Sequence, residues 1–290
     1  MTGDLAAVIL FQVLSSIATL VLISVGLAVI FGMMRVVNLA HGEFIMLGGY
    51  VVVTAANSGI NLFISILVLA PLVVGAVGVI VERTVIRFLY GRMIDTMLAT
   101  WGLSLTMVGA VTMIFGNTTA GVSAPLGSTA VGRYVISNYN FFLLAVAASV
   151  MIGLWSILRY TRVGIVARAT MQNPEMAASL GVNPSLVYSI TFAVGAALSG
   201  LAGALVAPLS GVVPSMGVAY VGRAFITVVS GGSAVVLGTL SASGLLGTLD
   251  TVVTFVSTPV FGQASLLIGA ILLVRVFPQG LTGRFFRGAT

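Results

Sequence analysis

The stretch from Leu5 to Met34, LAAVILFQVLSSIATLVLISVGLAVIFGMM, decides the fold because it contains no charged residue. As one helix it would be about 45 Å long, which exceeds the ~30 Å hydrocarbon thickness of a bilayer. We therefore expect a membrane helix that is tilted or preceded by an interfacial turn. No cationic segment precedes the run, and the run is too long for the core of a signal peptide, so no cleavable signal peptide is expected.

The whole chain has the composition of a membrane protein. Of its 290 residues, 59% are hydrophobic and 6% are charged, and the mean hydropathy is +1.21. A water-soluble domain carries about a quarter charged residues, so this chain cannot cover a soluble surface. Repeated apolar runs predict an all-α fold, namely a polytopic transmembrane helical bundle of about eight or nine spans in a lipid bilayer.

The twelve basic residues are all arginines, and most of them flank apolar runs. This placement indicates membrane orientation and not the binding of nucleic acid. The arginine-rich loop from Arg83 to Arg92 is predicted to be cytoplasmic, whereas the stretch from Gly116 to Asn138 carries one arginine and is predicted to be external. The segment from Thr161 to Ser185 and the C-terminal Arg284 and Arg287 are then cytoplasmic. The side of the N-terminus stays open, because it depends on whether the second apolar run crosses fully.

The last third of the chain contains four more predicted crossings. The run from Leu186 to Ala207 is expected to cross outward, and the stretch from Pro208 to Ala219, which contains two prolines, is expected to be an external loop. Three apolar segments follow, at residues 220–236, 237–256 and 263–277.

A polar interruption, from Arg35 to Glu43, separates the first two apolar runs. The second run, Phe44 to Ala56, has only thirteen residues and predicts a broken or half helix near residues 35–56. If the break lies at membrane depth, Asn38 and His41 could offer hydrogen bonds to a small polar solute, and the helix dipole would stabilise Glu43. The alternative is that these side chains only satisfy buried polar groups or lie at the cytoplasmic interface.

Two neighbouring residues of a later span, Thr100 and Trp101, are further candidates to line a solute path. A tryptophan near the end of a span is often an interface anchor instead. On the run after the polar segment, Gly195, Ser199 and Gly203 recur every four residues, which indicates close helix packing.

The polar segment from Thr161 to Ser185 predicts a short cytoplasmic helix of about two turns. Asn173 can cap a helix whose first residue is Pro174, with Glu175 in its positive first turn. Gly181 suits the left-handed position that ends a helix, and Asn183 repeats the cap before the next span. Stiff capping at both ends favours a lever that transmits force over an ordinary structured loop.

Several motifs resemble one known family of transport proteins. The spacing of Glu175, Ala177 and Gly181 is similar to the glutamate-alanine-alanine…glycine signature of permease subunits in bacterial ATP-binding-cassette importers, although Met176 occupies the first alanine position. Three further motifs resemble the branched-chain amino acid permease family and are spread over most of the chain: NLAHGEF (residues 38–44), TRVG (161–164) and FPQGL (277–281). LATWGLSL (98–105) is similar to the urea and short-chain amide branch of this family.

This resemblance implies a single transmembrane permease domain over residues 1–290 in a bacterial inner membrane. The implied partners are a second related permease subunit in a heterodimer, two cytoplasmic ATPase subunits and an external solute-binding protein. ATP and Mg would be held by the ATPases, and this chain would hold no cofactor. The solute would be a branched-chain amino acid, urea or a short-chain amide. Coupling to the ATPases would involve Arg162, Arg168, Asn173, Pro174, Glu175, Ala177, Ala178 and Gly181.

Motifs for catalysis are absent from the sequence. One histidine cannot form a two-histidine zinc site, no cysteine is present, and a chain without lysine cannot carry a phosphate-binding loop. We therefore expect no catalytic residue, no metal site and no enzyme activity. The alternative to the importer is a self-sufficient channel or ion-coupled carrier in which His41 and Glu43 form a proton or solute site.

Overall fold

The structure is a computed structural model that describes residues 3–232 and 234–285. Its helices are α1 (Gly3–Met34), α2 (His41–Asn57), α3 (Leu62–Thr84, with a π-helical turn at Ser65–Leu69), α4 (Met93–Phe115), α5 (Tyr139–Tyr160), α6 (Arg162–Gln172), α7 (Pro174–Ser179), α8 (Pro184–Ser210), α9 (Met216–Gly231), α10 (Val235–Val256), α11 (Pro259–Val276) and α12 (Gly280–Phe285). A hairpin of β1 (Ser128–Val131) and β2 (Tyr134–Ser137) lies between α4 and α5.

Seven helices in the described part of the chain are long and apolar enough to cross a membrane, and α9 is a shorter apolar helix. The predicted all-α polytopic bundle is therefore confirmed. The first of these helices, α1, runs without interruption, and no interfacial turn precedes it among the described residues. Of the C-terminal arginines that were used for orientation, Arg287 lies outside the described residues and only the backbone of Arg284 is described.

Contacts divide the chain into two compact units. The first unit takes its described residues from Met1–Ser24, Ser123–Ile152 and Arg223–Thr290, and the second takes them from Val25–Val122 and Gly153–Gly222. In the first unit α10 packs against α11, and a Cβ on Gly247 would lie 3.1 Å from the backbone of Ile17. The single permease domain over residues 1–290 stays a prediction.

The second unit is built around α8, which packs against α2 and α3. Phe44 of α2 and Phe192 of α8 are fully buried, with their ring centroids 6.0 Å apart in an edge-on arrangement. Val74 of α3 completes the same apolar cluster. Because this core surrounds α2 with protein, the half helix predicted near residues 35–56 is a buried element of the bundle.

The prediction of an external loop from Pro208 to Ala219 is wrong in its bounds. Helix α8 continues through Pro208 to Ser210, and it ends at Gly211, whose φ of 70° is left-handed. Proline costs a helix one backbone hydrogen bond, but burial of Val206 and Ala207 favours continuation. Gly211 then donates to the carbonyl of Ala207 at 2.9 Å. The loop is therefore short, at residues 211–215.

The three apolar segments at the end of the chain are confirmed as helices with shifted boundaries. Helix α9 begins four residues before the predicted start at residue 220 and ends before Gly232, which adopts φ 86°. Helix α11 begins at Pro259, four residues before the predicted start. Proline is favoured at the first position of a helix, so it marks a start here and not a break.

The hairpin was not predicted within the stretch from Gly116 to Asn138. Its register pairs Ser128 with Ser137 and Val131 with Tyr134. The two-residue turn between the strands contains Gly132, which adopts φ 60° and so supplies the left-handed conformation that such turns need. The sequence did contain a signal for this hairpin, because a glycine-containing turn lies between two short runs of residues that favour β-strands.

Candidate functional site

The polar break between α1 and α2 is formed by residues 35–40. Helix α1 ends where Arg35 adopts a left-handed backbone, with φ 53°. Asn38 turns the chain back, because its Oδ1 accepts a hydrogen bond from the amide of Ala40 at 3.1 Å. Helix α2 starts at His41, three residues before the predicted run that begins at Phe44, so His41 and Glu43 occupy its first turn. The predicted broken helix is confirmed.

Thr100 of α4 holds the break in place. Its side chain accepts a hydrogen bond from the amide of Leu39 at 3.1 Å and donates to the carbonyl of Thr96 at 2.8 Å. Thr100 is fully buried, whereas the side chain of Trp101 is 56% exposed. The structure therefore brings Thr100 to the break and places Trp101 on an exposed face of α4, as an interface anchor would be.

His41 contacts α8 and has no exposed surface. Its Nδ1 lies 3.1 Å from the hydroxyl oxygen of Ser199, and this hydroxyl also lies 2.8 Å from the carbonyl oxygen of Gly195. When the hydroxyl donates to Gly195, its oxygen accepts from the Nδ1–H of His41. The histidine is thus tied to the backbone of α8.

Glu43 is 1% exposed and lies among three helices. Its Oε1 accepts a hydrogen bond from the hydroxyl of Ser104 in α4 at 2.9 Å. Its carboxyl group also lies against Gly217 in the first turn of α9, where a Cβ would collide with it. Its Oε2 is buried without a hydrogen-bond partner. Glu43 therefore lies beside the first turns of both α2 and α9, whose positive ends offset part of the cost of burying a carboxylate.

Glycines allow α2 to approach its neighbours at backbone distance. A Cβ on Gly203 would lie 2.6 Å from the carbonyl carbon of Ile45, and one on Gly48 would lie 2.6 Å from the backbone of Gly200. A Cβ on Gly42 would likewise meet the backbone of Gly217. These contacts confirm the predicted packing role of the small residues in α8 and hold the polar break in one position.

A largely apolar groove of about 390 Å³ lies beside α2. Tyr50 of α2 lines it, packs its ring 4.6 Å from that of Phe115, and has a buried hydroxyl without a hydrogen-bond partner. The groove therefore combines an apolar surface with one unused polar group. Its lining residues are Leu47, Tyr50, Val51, Thr54, Ala55, Ser58, Ile60, Leu69 and Phe115.

The polar segment from Thr161 to Ser185 forms two helices, α6 and α7, where one had been expected. Thr161 caps α6 by accepting from the amide of Gly164 at 3.2 Å. The tight turn into α6 requires Gly164, since a Cβ there would collide with the carbonyl oxygen of Leu158. Arg162 is the first residue of α6, and the Nε of Arg168 donates to the carbonyl of Gly164 at 3.3 Å.

The caps predicted for α7 are confirmed. The side chain of Asn173 accepts from the amide of Met176 at 2.9 Å. At the other end Gly181 adopts φ 87°, its amide donates to Ala178, and the amide of Val182 donates to Ala177 at 3.1 Å. This pattern is a Schellman motif. Helix α7 has six residues and begins at Pro174, which agrees with the predicted length of about two turns.

Helix α7 presents both charged and apolar side chains at its surface. Glu175 and Ala178 are exposed, whereas Ala177 is buried. Met176 is 59% exposed and Leu180 is 78% exposed. Exposed apolar side chains on a capped helix outside the long spans are suited to contact with another protein.

Four of the five predicted pathway residues meet at the break, namely Asn38, His41, Glu43 and Thr100. Trp101 lies elsewhere. Sequence reasoning missed Ser104, Ser199 and Tyr50. Ser104 lies four residues after Thr100, so helical periodicity could have identified it, whereas the role of Ser199 depends on which helix packs against it. Within the described residues, no group of three metal-ligating side chains is found.

A bundle of apolar membrane helices, a buried polar break and a capped helix outside the long spans together define a membrane transport protein. The chain belongs to the family described as the branched-chain amino acid transport system permease component, which matches residues 9–276. This match agrees with the resemblance seen in the sequence motifs. It does not favour the self-sufficient channel or carrier.

Relatives of this family are similar along nearly the whole chain. The high-affinity branched-chain amino acid transport system permease protein BraD of Pseudomonas aeruginosa is 28% identical, over 92% of this chain and 92% of its own length. LivH of Salmonella typhimurium is 27% identical with the same coverage. The probable LivH of Methanocaldococcus jannaschii is 27% identical, over 91% of this chain and 88% of its own length. No solved structure matches this chain.

Proposed function

We propose that this chain is the permease subunit of an ATP-binding-cassette importer in a bacterial inner membrane. The family match over residues 9–276 carries the proposal. The names of the LivH and BraD relatives support a branched-chain amino acid as the solute. Urea or a short-chain amide is the second candidate, supported only by the motif at residues 98–105.

Helix α7 is the proposed contact with the ATPase. Its caps at both ends make it a rigid unit, and its exposed Met176 and Leu180 provide an apolar contact surface. Closure of the ATPases on ATP would push α7, and α8 follows it after the Asn183 cap. Because α8 packs against α2, the push would reach the polar break.

The complex would contain a second related permease, two cytoplasmic ATPases that bind ATP and Mg, and an external solute-binding protein. The distribution of arginines supports a cytoplasmic α7 and a cytoplasmic C-terminus. The solute would pass the break, where Glu43 and His41 have hydrogen-bonding groups, with Asn38 and Thr100 shaping the backbone there. ATP hydrolysis would take place on the partner chains.

Uptake of labelled leucine into proteoliposomes tests the proposal, with the complete complex compared with the chain alone. The complex should take up leucine only with ATP and the binding protein, and the chain alone should show no flux. Glu175→Arg and Gly181→Val should reduce uptake at least tenfold while membrane insertion is unchanged. At residue 181 no atom lies within 4 Å of an added Cβ, so the effect would come from the left-handed backbone, with φ 87°.

Asn117→Arg is the matched control for an added positive charge, because Asn117 lies in an exposed loop predicted to face the other side. It should leave uptake and ATPase binding unchanged. Wild-type uptake and wild-type ATPase binding in both α7 variants would contradict the lever. Flux through the chain alone would contradict the importer itself.

A further inference from the structure

A small polar pocket lies where α3 ends and α8 begins. It encloses about 150 Å³. Its lining residues are Glu82, Arg83, Arg87, Asn183, Ser185, Leu186 and Ser189. The proposed transport mechanism does not use its charged groups.

Glu82 forms the buried acidic group of this pocket, with 1% of its surface exposed. Its Oε1 accepts a hydrogen bond from the hydroxyl of Tyr90, and its Oε2 is buried without a hydrogen-bond partner. Burial and the hydrogen bond to Glu82 raise the pKa of Tyr90, so Tyr90 remains a donor at neutral pH. Leaving a buried carboxyl oxygen unpaired is costly, which favours a ligand that donates a hydrogen bond to Oε2.

Arg83 and Arg87 provide the opposite charge at the rim of the pocket. Both are exposed, and neither forms an ion pair with Glu82 in the described part of the chain. Guanidinium groups bind carboxylate and phosphate with several N–H donors in a fixed geometry. The pocket is therefore lined by one buried carboxyl group, and its exposed arginines offer donors for an anion.

We propose that this pocket binds a small zwitterion in which a primary ammonium group and an anionic group lie a few bonds apart. The ammonium donates to Oε2 of Glu82, and the anionic group lies between the guanidinium groups of Arg83 and Arg87. A free α-amino acid has this chemistry, and so does the ethanolamine phosphate head group of a lipid. A single carboxyl group does not make a site for a divalent metal ion. The inference stands on the pocket alone and does not require the proposed transport function.

Calorimetric titration of the full-length chain tests this site. The chain is placed in nanodiscs of phosphatidylglycerol, which lacks an ammonium group. The probes are L-valine and phosphoethanolamine. Each probe is compared with two half-ligands, each of which carries only one of its two charged groups. The half-ligands are isobutylamine and isovalerate for valine, and ethanolamine and ethyl phosphate for phosphoethanolamine. At least one of the two zwitterions should bind with an affinity at least ten times higher than that of either of its half-ligands. Binding of valine indicates a free amino acid, and binding of phosphoethanolamine indicates a lipid head group.

Variants separate this pocket from any solute site elsewhere. Glu82→Gln retains an oxygen for the Tyr90 hydroxyl and removes the charge, so it should weaken binding at least tenfold. Arg87→Gln changes only an exposed side chain and should also weaken binding several-fold. Arg92→Gln is the control, because Arg92 lies in the same loop with a 70% exposed side chain and does not line the pocket.

Two results would overturn the assignment. One is that neither zwitterion binds more tightly than its halves. The other is that Glu82→Gln and Arg87→Gln bind the zwitterion as tightly as Arg92→Gln does. If Glu82→Gln does not fold, Arg87→Gln decides the outcome, since its site is on the surface.

Discussion

Replacing Gly203 by alanine should force α2 away from α8. The added Cβ would overlap the carbonyl oxygen of Ile45 and lie 2.6 Å from its carbonyl carbon, whereas ordinary contact begins at 3.4 Å. The atoms on the opposing side belong to the backbone of a helix, so no flexible side chain can move aside. To relieve the overlap with the oxygen, the two helices would have to separate by roughly 1.5 Å.

The cost of this separation can be estimated from the packing. Overpacking a well-filled interior costs about 1–3 kcal/mol, and a backbone contact places Gly203→Ala near the upper end. The same shift would stretch the 3.1 Å contact between His41 and Ser199. For a chain of this size about 3 kcal/mol corresponds to roughly 6–12 °C in melting temperature.

Thermal unfolding of the detergent-solubilised chain measures this effect. Gly109→Ala is the control, because Gly109 is an exposed glycine of α4 with no atom within 4 Å of a Cβ. Alanine stabilises a helix relative to glycine, so this control should melt at the wild-type temperature or above. If Gly203→Ala melts within 1 °C of the wild type, the close approach of α2 and α8 is not present in the protein.

Two further variants test the polar break itself. Thr100→Val keeps the shape of the side chain and leaves the amide of Leu39 without its acceptor, so the melting temperature should fall by an amount equivalent to about 1–3 kcal/mol. Thr106→Val, which removes a hydroxyl bonded only within α4, should change it little, and equal effects of the two variants would contradict the role of Thr100. Glu43→Gln retains an acceptor for Ser104 and removes the charge, so leucine uptake by the complex should fall about tenfold while the melting temperature stays within a few degrees. Unchanged uptake would assign Glu43 to structure alone.

Much of the secondary structure was predictable because its causes are local. The caps of α7 depend on Asn173 and on the freedom of Gly181 to adopt φ 87°, and both act within a few residues. The break after α1 was predictable as well, because polar residues interrupt an apolar run. The end of the break was misplaced by three residues, since polar side chains in a first helical turn do not stop a helix.

The errors arose where distant contacts outweighed a local preference. Pro208 marks a turn by its own chemistry, but burial of the residues around it continues α8 to Ser210. Ser199 was read as a packing residue, and it also contacts a histidine 158 positions away. Trp101 is adjacent to Thr100 in sequence, yet the two side chains lie on different faces of α4.

The sequence by itself determined the many apolar spans, the polar break after the first span and the caps of the short helix, and its motifs resemble one family. The spans and the break follow from the cost of placing charge in hydrocarbon, and the caps follow from short-range hydrogen bonding. Only the tertiary structure decided which polar groups meet. Glu43, Ser104 and Gly217 come from three helices, and Glu82 and Asn183 border one pocket from two helix ends. Such meetings depend on how helices pack, and a linear pattern does not contain that information.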